Sequence, residues 1–218
     1  MKHAWMAIIV GFLVFGPVKT KAQVWKEYSS FIPNIGLQLG AQGIGVEGGY
    51  PLSNAFNVRI GAHIFPSFKA RLGDRVFQLK RSSVNAFVDW QPLYGHARWF
   101  ARKWIMSGGI GYFFENKWER FQGTTIESGQ PKDYAITYSK LRPYVGTGLN
   151  GIRLSYRLNL AVNVGYFIPT TGSELTLYEM DPIELPALQD KLNSFPEQQL
   201  PGINVQVGIS YVFIKGRK

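Results

Sequence analysis

Between residues 56 and 68 the chain alternates strictly. Phe56, Val58, Ile60, Ala62, Ile64, Pro66 and Phe68 occupy the even positions, and Asn57, Arg59, Gly61, His63, Phe65 and Ser67 the odd ones. The same period of two returns over 156–168, with Leu158, Leu160, Val162 and Val164 set against Asn159, Ala161, Asn163 and Gly165. It returns again over 203–213, where Ile203, Val205, Val207, Ile209 and Tyr211 face away from Asn204, Gln206, Gly208 and Ser210. Successive side chains of a strand point to opposite faces, so each run predicts a strand with one apolar and one polar or glycine face. The pattern predicts strands at about 35–41, 44–50, 56–68, 77–90, 103–115, 135–149, 156–168 and 203–214.

These runs reach about 11 to 13 residues, the length a tilted membrane strand needs and longer than most soluble strands. Their polar faces carry glycine, Asn, Ser and single charges, as a narrow lumen requires, without the Lys/Glu density of a solvated face. Tyr and Trp recur near strand ends, at Tyr50, Trp90, Trp104, Tyr144, Tyr156, Tyr166 and Tyr211, as interfacial girdles do. The expected fold is therefore all-β, a transmembrane antiparallel up-and-down β-barrel of eight strands over 35–214, with ten as the alternative. The alternative arises at Gln42–Gly43, where the apolar parity switches. A tight turn there gives eight strands; a bulge in one long strand would call for a further strand from 24–33. Connections 51–55, 91–102 and 150–155 read as the shorter ones at one rim. Segments 116–134 and 169–202 read as long loops at the other, with 69–76 intermediate.

Residues 1–22 differ from the rest. A basic start at Lys2 and an apolar run from Ala4 to Phe15 lead to Thr20 and Ala22, small residues before an expected cleavage point. The run is too short to span a bilayer as a helix, and no run of 18 apolar residues follows it. A cleaved secretory signal over 1–22, a lead-in over 23–34 and a basic tail over 215–218 complete the expected organisation. Loss of the signal lowers the formal charge from +10 to +7. For an exported basic chain, anionic lipid headgroups are the expected counter-charge, and nucleic acid is not. With no cysteine, disulfides and thiolate chemistry are excluded.

The segments GAQGIGVE at 40–47, DWQP at 89–92, PYVGTG at 143–148 and VGISYVF at 207–213 resemble those of small bacterial outer-membrane β-barrel proteins, akin in size to OmpA-type barrels. The resemblance implies residence in the cell outer membrane of a Gram-negative organism, contact with outer-membrane lipid and lipopolysaccharide, and delivery by the barrel-assembly machinery through a terminal strand ending in an aromatic. The group has no common activity, so no function follows from it. Ile214 to Lys218 extend beyond that terminal aromatic.

Strand parity places Glu47, Arg59, His63, Asp89, Glu115, Arg142 and Arg157 in the lumen. Pairing Tyr50 with Phe56 across the first hairpin would set Glu47 opposite Arg59. The expected role is non-enzymatic, structural or ligand-binding. The rivals are a narrow pore for small solutes and a lipid-modifying enzyme using His63 with Ser67 or Ser83. Two isolated histidines, His63 and His96, offer no metal-ligand spacing, and no catalytic motif or cofactor is indicated. Lys69, Arg71, Arg75, Lys80 and Arg81 form a basic cluster suited to lipopolysaccharide phosphates. The loop 169–202 is acidic, with Glu174, Glu179, Asp181 and Glu184 among its carboxylates. Pro186 begins an apolar stripe that predicts a short helix.

Overall fold

The computed structural model describes residues 31–67, 69–72, 75–121, 132–178 and 202–213. The expected signal segment, the basic tail, the helix after Pro186, and Glu179, Asp181 and Glu184 lie outside them. The described strands are β1 (Asn34–Gly40), β2 (Gly43–Pro51), β3 (Phe56–Phe65), β4 (Lys69–Leu72), β5 (Arg75–Trp90), β6 (Trp104–Phe121), β7 (Lys132–Thr137), β8 (Leu141–Arg153), β9 (Leu158–Phe167), β10 (Glu174–Leu177) and β11 (Ile203–Val212). One short helix, α1 (Trp99–Lys103), lies in the connection from β5 to β6.

Eight of these strands close on themselves in the order β1, β2, β3, β5, β6, β8, β9, β11. β1 pairs with β2 on one side and β11 on the other, and β5 pairs with β6, so the eight-strand barrel itself has no free edge. The parity switch at Gln42–Gly43 is a tight turn: Gly40 lies opposite Gly43. Gly43 has φ +95°, and a Cβ there would meet the carbonyl oxygen of Ile64 at 2.2 Å. Only glycine satisfies both demands. The eight-strand count holds.

At the long-loop rim the sheet continues beyond the closed barrel. β4 extends the line of β3 along β5, and β7 extends the line of β8 along β6, with β10 added on β7. Pro66 interrupts the first of these lines, because it has no N–H for the ladder. Residues 138–140 interrupt the second, although Tyr138 N still donates to Asn116 O at 2.9 Å and Phe113 N to Lys140 O at 2.7 Å. The segments expected as plain loops at 69–76, 116–134 and 169–202 therefore each contribute strand residues.

Two irregularities correct the parity reading. Ser82 pairs with Glu115 but Ser83 with Phe113, so Phe114 is an extra residue in β6. A second bulge lies between Leu149 and Ile152, where Gly151 takes φ 68°. The hairpin β2–β3 also differs from expectation. Tyr50 lies opposite Val58, and Glu47 opposite Gly61. The turn centres one residue later because Ser53 closes it: Ser53 Oγ accepts from Ala55 N and Phe56 N, while Leu52 N and Ser53 N both donate to Phe56 O. The register moves by two, which preserves the faces.

The outer surface is an apolar belt that includes Leu37, Val46, Ile60, Val88, Ile110, Val145, Val164 and Val207, all exposed. Such a belt around a polar interior is the arrangement of a membrane barrel and the inverse of a soluble one. Tyr50, Tyr156 and Tyr211 sit exposed near strand ends, as expected. Tyr144 does not: its side chain is buried in the lumen.

Candidate functional site

The lumen is filled by side chains in tiers. Toward the short-turn rim stands an ion-pair network centred on Arg59. Its Nε donates to Asp89 Oδ2 at 2.6 Å and its Nη2 to Asp89 Oδ1 at 2.8 Å, a bidentate pair. Nη1 reaches both oxygens of Glu47 at 3.1 Å. Asp89 also accepts from Ser107 Oγ at 2.7 Å and Asn57 Nδ2 at 3.2 Å, and Glu47 from Gln38 Nε2 at 3.0 Å. All six residues are buried. Glu47 and Arg59 thus meet as expected from parity, diagonally across the pair and not directly opposite. A small polar cleft beside them, lined in part by Asn34, Gln38, Asn150 and Ser210, has room for about one water molecule.

Above this network lies a tier of rings. Phe87 packs on Tyr144 at 4.6 Å between centroids, Tyr144 on Phe167 at 4.7 Å, and Phe167 on Phe113 at 5.3 Å. Arg59 lies 5.2 Å from the Phe87 centroid, so the guanidinium faces carboxylates on one side and a ring on the other. Glycines make room for the rings: a Cβ at Gly165 would stand 2.3 Å from Tyr144 Oη. His63 is buried at the side of this tier. Asn85 lies 3.1 Å from its Nδ1 and Gln206 3.2 Å from its Nε2.

The tier nearest the long-loop rim is basic. Arg81 Nε donates to Asn116 Oδ1 at 3.2 Å, and its Nη1 to Ala41 O at 3.2 Å. Arg142 Nε donates to Ser139 Oγ at 2.9 Å. Both guanidinium carbons lie 5.9 Å from the Phe113 centroid. Arg81 belongs in sequence to the basic cluster suited to lipopolysaccharide phosphates, but its side chain is buried in the lumen. The parity of β5 carries that signal, since Ser83, Asn85, Phe87 and Asp89 all point inward. Asn116 falls in the expected loop 116–134.

The structure brings Glu47, Arg59, His63, Asp89 and Arg142 inside, as expected, and moves two residues out. Glu115 is exposed, because the extra residue in β6 inverts parity beyond Phe113. Arg157 is exposed, because β9 begins at Leu158 and leaves it in the short turn, where it donates to Tyr211 Oη. Of the acidic loop, Glu174 is described: it is exposed on β10. Outside the barrel proper, Glu119 accepts from Lys132 at 2.9 Å and pairs with Lys80 at 3.1 Å. Burial pushes its carboxyl up, but the bonds from the two lysines outweigh that and hold it below the usual carboxylate range.

No group of metal ligands occurs among the described residues. Neither serine that the rival enzyme reading would pair with His63 is placed to serve it. Ser83 Oγ donates to Gln42 Oε1 at 3.0 Å, although Ser83 is the cross-strand partner of His63. Ser67 is exposed. Amide side chains, not hydroxyls, occupy both ring nitrogens.

Two crystal structures share this architecture. Acinetobacter baumannii CarO2 superposes with a TM-score of 0.62 at 14% identity, over 84% of this chain and 99% of that one. Acinetobacter baumannii CarO gives 0.58 at 12% identity, over 85% and 99%. This protein has the fold of a small outer-membrane β-barrel. At these identities the likeness concerns the fold alone. A scan against protein-family profiles finds no match, and a search of curated proteins finds none either.

Proposed function

We propose that the protein is a non-enzymatic barrel of the Gram-negative outer membrane, with a structural or ligand-binding role and a lumen closed to bulk solute flow. The closed lumen is carried by one observation: the Arg59 network and the four-ring tier stack across the interior, leaving beside them a cleft of about one water. An eight-stranded barrel has an interior that side chains can fill. The apolar belt supports residence in lipid, and the shared architecture with the CarO barrels agrees with it. On this reading Lys69 and Arg71 of β4 lie at the outer rim, where lipopolysaccharide phosphates provide anionic charge. Strand β11 with Phe213 presents the terminal aromatic to the assembly machinery, and Phe213 N is held by Pro33 O at 2.9 Å. A lipid-modifying activity has no support from His63, whose ring nitrogens face Asn85 and Gln206.

Planar-bilayer recording of the purified, refolded protein tests the closed lumen. The expected trace shows no sustained conductance steps for the full chain. Regular, long-lived openings would contradict it and favour the narrow pore. Fractionation of the producing cells tests the location, with the protein expected in the outer-membrane fraction.

A further inference from the structure

We infer that the basic tier of the lumen is a binding site for a small oxyanion, a carboxylate or phosphate group, anchored by Arg142. The inference rests on the closed-barrel reading above and adds a ligand class to it. Arg142 is 1% exposed, so its charge is withdrawn from water. Its Nε is held by Ser139 Oγ and O, which fix the plane of the guanidinium. Its Nη1 is buried and has no hydrogen-bond partner. A buried guanidinium N–H left without an acceptor is costly, whereas one given an anion makes a charge-assisted bond.

A second orphan donor stands in the same tier. Asn116 is buried, and its Nδ2 has no partner. Its amide orientation is set by Arg81 Nε, which needs Oδ1 as acceptor, so rotation would put two donors against each other. Tyr138 joins the two residues: its N donates to Asn116 O, and its ring lies 5.8 Å from the Arg142 guanidinium carbon. Both missing bonds have the same polarity: Arg142 Nη1 and Asn116 Nδ2 each call for an acceptor. Among the described residues the lumen carboxylates are Glu47 and Asp89, already engaged by Arg59 beyond the ring tier. Two guanidiniums thus share the Phe113 ring on the long-loop side, against one guanidinium and two carboxylates on the other. An anion arriving from the long-loop rim meets positive charge first.

The test uses the full-length protein refolded in detergent micelles and labelled with 15N-arginine. Formate, inorganic phosphate and chloride are each titrated at fixed ionic strength. The expected result is a saturable shift of one arginine Nε resonance with formate or phosphate, absent in Arg142→Met, together with a rise in urea midpoint that follows mass action. Arg142→Lys is expected to lose about tenfold or more in apparent affinity, the scale of a charge-assisted hydrogen bond. A wild-type protein with no saturable shift overturns the site. A shift that persists in Arg142→Met, or one matched by chloride, overturns the assignment to an oxyanion on Arg142. If Arg142→Met fails to fold, the wild-type titration and Arg142→Lys still decide. Folding is read separately from the heat-dependent gel mobility of barrels, so failure of the barrel itself is distinguished from failure of the site.

Discussion

Replacing Arg59 by methionine keeps most of the side-chain volume and removes the one cation shared by Glu47 and Asp89. Arg59 supplies four contacts to these carboxylates, at 2.6, 2.8, 3.1 and 3.1 Å. Afterwards Asp89 keeps Ser107 and Asn57, and Glu47 keeps Gln38. Both carboxylates remain buried and unpaired. Breaking a buried pair from one side typically costs about 3–5 kcal/mol, most of it the uncompensated charge left behind. Arg59→Met should therefore lose about that much in urea unfolding from lipid vesicles, followed by tryptophan fluorescence. Neutralising the orphans should recover much of it, so Glu47→Gln/Arg59→Met/Asp89→Asn should be more stable than Arg59→Met alone. Asp89 is the more deeply buried of the two but keeps two donors against one for Glu47, so Glu47→Gln and Asp89→Asn should each contribute to the recovery. A loss under about 1 kcal/mol, or a triple variant no better than the single one, would refute the network as described.

Three other outcomes follow from the same geometry. Val162 faces outward and its buried neighbour Asn163 inward, so Val162→Arg should cost roughly 2–4 kcal/mol in vesicles, with Asn163→Arg limited mainly by space; a larger loss at 163 would mean the faces are inverted. Gly165→Val should destabilise by about 1–3 kcal/mol through its clash with Tyr144, and Tyr144→Ala should relieve part of that in the double variant, as measured by the same unfolding assay. Glu119 has a depressed folded-state pKa, so its contribution is present above the ordinary value of 4.5 and is lost as pH falls through the lower folded value. Glu119→Gln should accordingly lower stability at neutral pH and flatten the acid limb of the stability profile, and an unchanged acid limb would count against the lysine clamp.

Alternation alone exposed most of the barrel, because a lumen and a lipid belt impose opposite chemistry on adjacent residues. It located the inward side chains of β2, β3 and β5, hence Glu47, Arg59, His63 and Asp89. It failed where the period broke. Phe114 inserts one residue into β6, so simple parity turns Glu115 inward, and Asn116 falls in the expected loop 116–134. Nothing local marks that bulge, since Phe114 has neither the glycine conformation nor the turn chemistry that signals one. The β2–β3 register was missed by two because Ser53, not the apolar pairing, places the turn. Tyr144 was read as a girdle residue from its type, yet it shares its inward face with Arg142, Gly146 and Gly148. The expected strands 56–68 and 135–149 run straight through Pro66 and through 138–140, where the structure divides the first line into β3 and β4 and the second into β7 and β8, because neither interruption disturbs the apolar alternation. The ring tier has no sequence signature beyond parity, since its members come from four separate strands, β5, β6, β8 and β9.

The central claim is a closed barrel whose apolar face meets lipid and whose polar face is sealed inside. The absence of native cysteine allows single cysteines to be placed at each position of 203–211 and labelled with an environment-sensitive fluorophore. In vesicles containing a lipid-borne quencher, labels at Ile203, Val205, Val207, Ile209 and Tyr211 should be quenched strongly, and labels at Asn204, Gln206 and Ser210 weakly. Uniform quenching along the strand, or an inverted alternation, would contradict the account.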